Sequence, residues 1–166
     1  KDFKQYQEQV LDNARVMVTG AFCEQPPLGL IRSLEKAGCD IVWDDFLLGS
    51  RWLGCDIPDG PDPLSALVDT FLRHSTRTAS MYEPDEKGAY LVEMARERRV
   101  EGVVFCAPSF CDPALLDQPM LQTALDRAGL AYTSFKYSED TGQFGVIREQ
   151  AGTFADSIKL WSGAPA

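Results

Sequence analysis

Hydrophobic and polar positions follow two rhythms along this chain: short β-branched runs, and longer stretches with an apolar residue every three or four positions. The first run, "RVMVTG" (15–20), ends on Gly and predicts a strand. "PPLGLIRSLEKAG" (26–38) follows with Leu30, Ile31, Leu34 and Ala37 at helical spacing. Pro27 suits its first turn and Gly38 its C-terminal cap. "CDIVWDD" (39–45) predicts the next strand, and strand, helix and strand together make a βαβ unit.

The stretch "GSRWLGCDIPDGPDP" (49–63) is rich in Gly, Pro and Asp and predicts a loop, before a helix over "LSALVDTFLRH" (64–74). "STRTASMYEPDEKG" (75–88) reads as a second irregular connection, and "AYLVEMARERR" (89–99) as a charged amphipathic helix. "VEGVVFCA" (100–107) is the most continuous apolar run, the pattern of a central parallel strand. The helix predicted over 113–129 carries Leu115, Leu116, Leu121, Ala124, Leu125 and Ala128 on one side. "LAYTSFKY" (130–137) is the last strand, and a helix from about 144 to 161 marks its core face with Ile147, Ala151, Phe154, Ala155 and Ile158. Alternating β and α elements imply a parallel sheet covered on both faces. The expected fold class is α/β: a three-layer α/β/α sandwich on a flavodoxin-like, four-stranded parallel sheet.

Composition narrows the function classes. The 166 residues fit one domain with a real core. Sixteen basic against 25 acidic residues give a net charge of −9, which argues against a nucleic-acid surface and suits a basic protein partner. No apolar run approaches the roughly 20 residues of a membrane span, so no membrane partner is expected. The start, "KDFKQYQEQVLDNA", is polar and helix-like, without Met or a signal-peptide pattern; it suggests a piece of a longer protein. Five cysteines without disulfide spacing point to a reducing cytoplasm.

In parallel α/β folds the functional edge lies where strands end and helices begin. That rule gathers four loops, 20–27, 44–52, 106–112 and 138–143, which hold Cys23, the Gly49-Ser50-Arg51 run, Cys111 and Thr141-Gly142-Gln143. Cys111 is the sharpest candidate. Asp112 suits an N-cap and Pro113 a first helical position, so Cys111 sits just before a helix N-terminus, where the dipole favours a thiolate or an anionic cluster bound through it. A buried thiol is the equal alternative. Cys106 and Cys39 belong to apolar strands and read as core, Cys55 lies in a loop, and Cys23 shares the edge with a packing role foremost. Arg51 reads either as an anion contact, such as for a CoA phosphate, or as a solvated side chain. Asp44 and Asp45 read as capping and loop residues. There is no C-x-x-C, and His74 is the chain's only histidine. Neither a self-contained zinc site nor a complete iron–sulfur site is therefore expected from this chain alone. "TGAFCEQPP" matches neither phosphate-loop fingerprint, so nucleotide binding is not expected here.

Three segments carry a resemblance: "VTGAFCEQPPLGLI" (18–31), "VVFCAPSFCDPALLDQPMLQTALD" (103–126) and "FKYSEDTGQFGVIREQAGTFADSIKLW" (135–161). They resemble the 2-hydroxyacyl-CoA dehydratase / benzoyl-CoA reductase family, and within it the non-ATPase subunits of ATP-dependent benzoyl-CoA reductases. The likeness runs from about Arg15 to Trp161 and implies that residues 1–166 are the C-terminal domain of a longer subunit. Members have two flavodoxin-like domains with a [4Fe–4S] cluster between them. The resemblance makes the Cys of "FCDP", Cys111 here, one cluster ligand, with the other thiolates in an N-terminal domain. Many relatives place a Cys just before "GSR", where this chain has Leu47-Leu48.

The implied chemistry is low-potential electron transfer to the aromatic ring of benzoyl-CoA, in anaerobic aromatic degradation. The implied partners are a sister catalytic subunit and an ATPase/electron-donor subunit, which binds the ATP. Ser109 and Phe110 are then expected beside the cluster, and Thr141, Gly142 and Gln143 along its wall. Cys23, Ser50 and Arg51 are further candidates for the same edge, and Arg148 for a CoA contact or an acidic neighbour. The fragment alone is expected to be inactive and to bind no stable cluster. Two other readings stand beside this one: a 2-hydroxyacyl-CoA dehydratase subunit, and a flavodoxin-like binding or scaffold module without a redox role.

Overall fold

Val16, Val18, Val103 and Val104, all fully buried, lie at the middle of the sheet that organises the chain. The computed structural model describes residues 12–20, 26–46, 56–74, 84–138 and 144–162. The elements run β1 (Ala14–Thr19), α1 (Leu28–Lys36), β2 (Cys39–Asp44), α2 (Pro63–His74), α3 (Pro84–Glu97), β3 (Gly102–Pro108), α4 (Asp112–Ala128), β4 (Ala131–Tyr137) and α5 (Phe144–Ser162). The four strands form one sheet in the order β2-β1-β3-β4. Every pairing is parallel, with Val16 opposite Gly102 and Gly102 opposite Ala131. This is the flavodoxin-like α/β arrangement that the alternation of elements predicts.

Strand side chains alternate between two faces, and each face meets its own helices. Val16, Val18, Val104 and Cys106 pack with Leu30 and Leu34 of α1 and with Ile147, Ala151, Ala155 and Ile158 of α5. Met17, Val103 and Phe105 pack with Leu91 and Ala95 of α3 and Leu125 of α4. β3 is buried at all seven positions because helices cover both of its faces. α5 lies close enough that a Cβ at Gly102 would stand 2.7 Å from Phe154 Cζ and overlap Ile158.

Three sequence expectations change. α3 starts at Pro84, five residues before the expected Ala89. "PDEK" is a helix start, with Pro at the first position and acids in the first turn, and Gly88 inside it is used for packing: a Cβ there would come within 2.8 Å of Ala124 Cβ on α4. Leu116 does not join the core face of α4 but is 78% exposed, because a step of one residue turns it about 100° away from Leu115. The N-cap of α4 is Cys111, not Asp112. Asp112 and Pro113 open the helix instead, the carboxylate favoured by the dipole and the missing Pro N–H harmless there.

Candidate functional site

The order β2-β1-β3-β4 places a topological switch between β1 and β3. The chain leaves β1 for α1 on one face of the sheet and leaves β3 for α4 on the other. A crevice at the C-terminal ends of two such strands is the general ligand position of open α/β sheets. Gly20 ends β1 on one side of this crevice with φ 99°. A Cβ on it would make ordinary contact, 3.4 Å from the Cys106 carbonyl oxygen, so it is the positive φ, not crowding, that favours Gly here.

On the other side, β3 turns sharply into α4. The Ser109 amide donates to the Tyr137 carbonyl at 2.7 Å, extending the sheet by one bond. The Cys111 amide then donates back to the Pro108 carbonyl at 3.0 Å, and the Leu115 amide to the Cys111 carbonyl at 3.1 Å. The four-residue turn 108–111 has Phe110 in its third position at φ 69°, a conformation that favours Gly. The ring of Phe110 is 95% exposed. The Cys111 side chain, only 5% exposed, packs with Ala107, Ala114 and Leu115 under the first turn of α4. The result is one thiol at a helix N-terminus, in a small apolar seat, beside an outward-facing aromatic ring.

The other described cysteines differ in kind. Cys39 and Cys106 are thiols buried in the main core. Burial foremost, then the neighbouring Asp40, pushes Cys39 up to about 11. Burial pushes Cys106 up further, with Cys39 and Asp45 adding to it. A thiol held protonated in this way suits packing and is a poor ligand, which is the role the sequence assigns to both.

Of the remaining candidates, Ser109 is half-buried in the turn and Arg148 is exposed on α5. Cys23, Ser50, Arg51, Thr141, Gly142 and Gln143 lie outside the described residues. Asp44 acts locally, its Oδ1 accepting from the Phe46 amide at 3.0 Å, whereas Asp45 Oδ2 accepts from the buried hydroxyl of distant Thr19 at 2.6 Å. The Thr19–Asp45 bond ties the ends of β1 and β2 together beside the crevice. Sequence reasoning missed it, since only the parallel pairing brings the two residues together. It also missed Lys87, which at 6% exposure bonds Asp117 of α4 at 2.7 Å. Reading 75–88 as a connection concealed it; the "PDEK" start was the available signal.

No three His, Cys, Asp or Glu side chains gather to hold a metal ion among the described residues. The described donor, the Cys111 thiol, fits one corner of a thiolate-bound cluster.

Fold and crevice define a flavodoxin-like α/β domain with a cysteine at its switch point, and sequence comparison gives the family. The family model described as "2-hydroxyglutaryl-CoA dehydratase, D-component" matches residues 2–158, and the chain belongs to that family. It is 53% identical over 156 residues to a benzoyl-CoA reductase subunit of Thauera aromatica, covering 93% of this chain and 40% of that protein. Over 158 residues it is 27% identical to the (R)-phenyllactyl-CoA dehydratase beta subunit of Clostridium sporogenes, covering 95% of this chain and 41% of the relative. With the beta subunit of the (R)-2-hydroxyglutaryl-CoA dehydratase of Acidaminococcus fermentans it shares 25% identity over 152 residues, 89% of this chain and 39% of the relative. The chain thus spans about two fifths of the length of these relatives.

Proposed function

We propose that this chain is the C-terminal domain of a catalytic subunit of an ATP-dependent benzoyl-CoA reductase, and that Cys111 is one thiolate ligand of its [4Fe–4S] cluster. The observation that carries the reading is the 53% identity to a benzoyl-CoA reductase subunit, together with the seat of Cys111 at the switch-point crevice. When bound, such a cluster supplies single electrons of low potential to the aromatic ring of the CoA thioester.

The chain's own residues place, shield and wall that centre. The 108–111 turn sets the thiol at the mouth of the crevice, and α4 presents the positive end of its dipole to a ligand with negative charge. Ala107, Ala114 and Leu115 exclude water from one side of the sulfur, which strengthens electrostatic interactions there. Ser109 and Phe110 line the approach, with Cys23, Ser50, Arg51, Thr141, Gly142 and Gln143 as further candidates for the wall. Arg148 is a candidate contact for an anionic part of the CoA.

The remaining ligands come from the N-terminal part of the full-length subunit, and single electrons from an ATPase partner that hydrolyses ATP. The assembly is completed by a sister catalytic subunit. The setting is a reducing cytoplasm during anaerobic aromatic degradation. No described helix is long and apolar enough to cross a membrane.

A dehydratase is the second reading, because two dehydratase subunits match over almost the same region at 27% and 25% identity. The complete complex, supplied with benzoyl-CoA, ATP and a strong reductant, should form a cyclohexadiene thioester. Failure with every partner subunit present, with turnover of a 2-hydroxyacyl-CoA instead, would establish the dehydratase. Cys111→Ala in the same complex should lower iron content and abolish activity. Unchanged iron and activity would return Cys111 to a packing role and favour the scaffold reading.

A further inference from the structure

α2 stands with its apolar side outward. Leu64, Leu67, Val68, Phe71 and Leu72 recur at i, i+3, i+4, i+7 and i+8, a single helical stripe, and each is between 45% and 72% exposed. Among the described side chains of this helix, the half-buried positions are Ala66 and Thr70, on the opposite side. The helix is well started all the same. Asp62 Oδ1 accepts from the Leu64 and Ser65 amides at 3.1 and 3.3 Å, and Oδ2 from the Ser65 hydroxyl at 2.6 Å. The hydroxyl bond first, then the amide bonds, hold the Asp62 carboxyl below its ordinary range.

A stripe of this kind normally faces a core, and a contiguous exposed apolar surface marks an interaction site. Ile57, just before the helix, is exposed as well. Asp56, Asp59, Asp62 and Asp69 are exposed on and before the same helix.

We propose that this stripe is a docking surface for the rest of the full-length subunit, specifically for an apolar helix face or groove. The proposal rests on the family reading above, since in each relative about three fifths of the polypeptide lies outside the matched region. A covalently joined segment reaches the stripe at an effective concentration in the millimolar range, an advantage no separate chain has. A second copy is disfavoured by the net charge of −9, which repels a like chain.

The test is thiol labelling of the full-length subunit with Leu67→Cys introduced, and with Val68→Cys as a second variant. Maleimide modification at that residue is followed by peptide mass spectrometry, first without other subunits and then with them. The reference rate is that of the same protein unfolded in guanidinium. Expected is a slowing of about tenfold or more in the folded subunit alone, independent of protein concentration. A smaller slowing overturns the proposal. So does protection that appears only with another subunit, or that rises with protein concentration as a second copy would require. Iron content of the same preparation separates the two readings. Iron retained with residue 67 reactive refutes the docking surface alone, whereas protection without iron refutes the cluster assignment and leaves the docking surface standing.

Discussion

Phe110 occupies a backbone conformation that costs an L side chain about 1–2 kcal/mol. Its φ is 69° and its ring is 95% exposed, so no burial among the described residues offsets that cost. Two substitutions separate the contributions. Phe110→Ala removes an unburied ring and keeps the strain, so stability should stay within about 0.5 kcal/mol of the parent. Phe110→Gly releases the strain, while the greater freedom of Gly in the unfolded chain takes back about 0.4–1 kcal/mol. The Gly variant should therefore exceed the Ala variant by about 0.5–1 kcal/mol, or about 1–4 °C in Tm for a domain of this size. Urea and thermal unfolding of the three proteins, followed by circular dichroism, measures the difference. A Gly variant no more stable than the Ala variant would show that the turn is not left-handed. A loss above about 1 kcal/mol in the Ala variant would show that the ring is packed after all. In the complete complex the same Gly variant should lose activity despite its gain in stability, the trade expected of a strained residue kept for a contact at the site.

Three further outcomes follow from the packing. Cys39 and Cys106 stay protonated in the folded chain after unfolded thiols, with an ordinary value of 9.0, have ionised. The unfolded state then binds fewer protons, so stability is intact below pH 9 and falls as pH rises toward 11, by up to about 1.4 kcal/mol per pH unit for each thiol. Urea titrations at stepped pH should show that fall, flattened by Cys39→Ala; a slope that this variant leaves unaltered would contradict it. Gly102→Val should cost about 3 kcal/mol or prevent folding, because Phe154 and Ile158 occupy the added volume, and a near-neutral result would mean that α5 does not lie so close to β3. Asp117→Asn takes the carboxylate from buried Lys87 and should cost about 3 kcal/mol, while Lys87→Met with Asp117→Leu should recover most of it. Failure of the double variant to recover stability would assign the pair a role beyond its own charge balance.

Short β-branched or apolar runs and period-3.6 stripes sufficed to place the alternating elements, the parallel sheet and the core face of α5. Burial imposes those patterns locally, and a single sequence displays them. The same pattern placed Cys106 in the core and Cys111 at a strand-to-helix junction, since Asp-Pro between an apolar strand and a period-3.6 stripe is a helix-start signal. The function assigned to Cys111 came from family likeness, which periodicity does not contain. Boundaries shifted where local signals competed, as at Gly88, read as the end of an irregular connection but placed inside α3 at a close approach to α4.

What the tertiary structure alone decided are the relations between residues far apart in sequence. The order β2-β1-β3-β4 creates the crevice, the parallel pairing brings Thr19 to Asp45, and helix packing brings Lys87 to Asp117. Two features ran against local preference: a phenylalanine in a left-handed turn, and an amphipathic helix whose apolar stripe is exposed. Propensity and pattern describe what each segment favours by itself. Which face is covered, and which strain is tolerated, depends on what the rest of the molecule places against that segment.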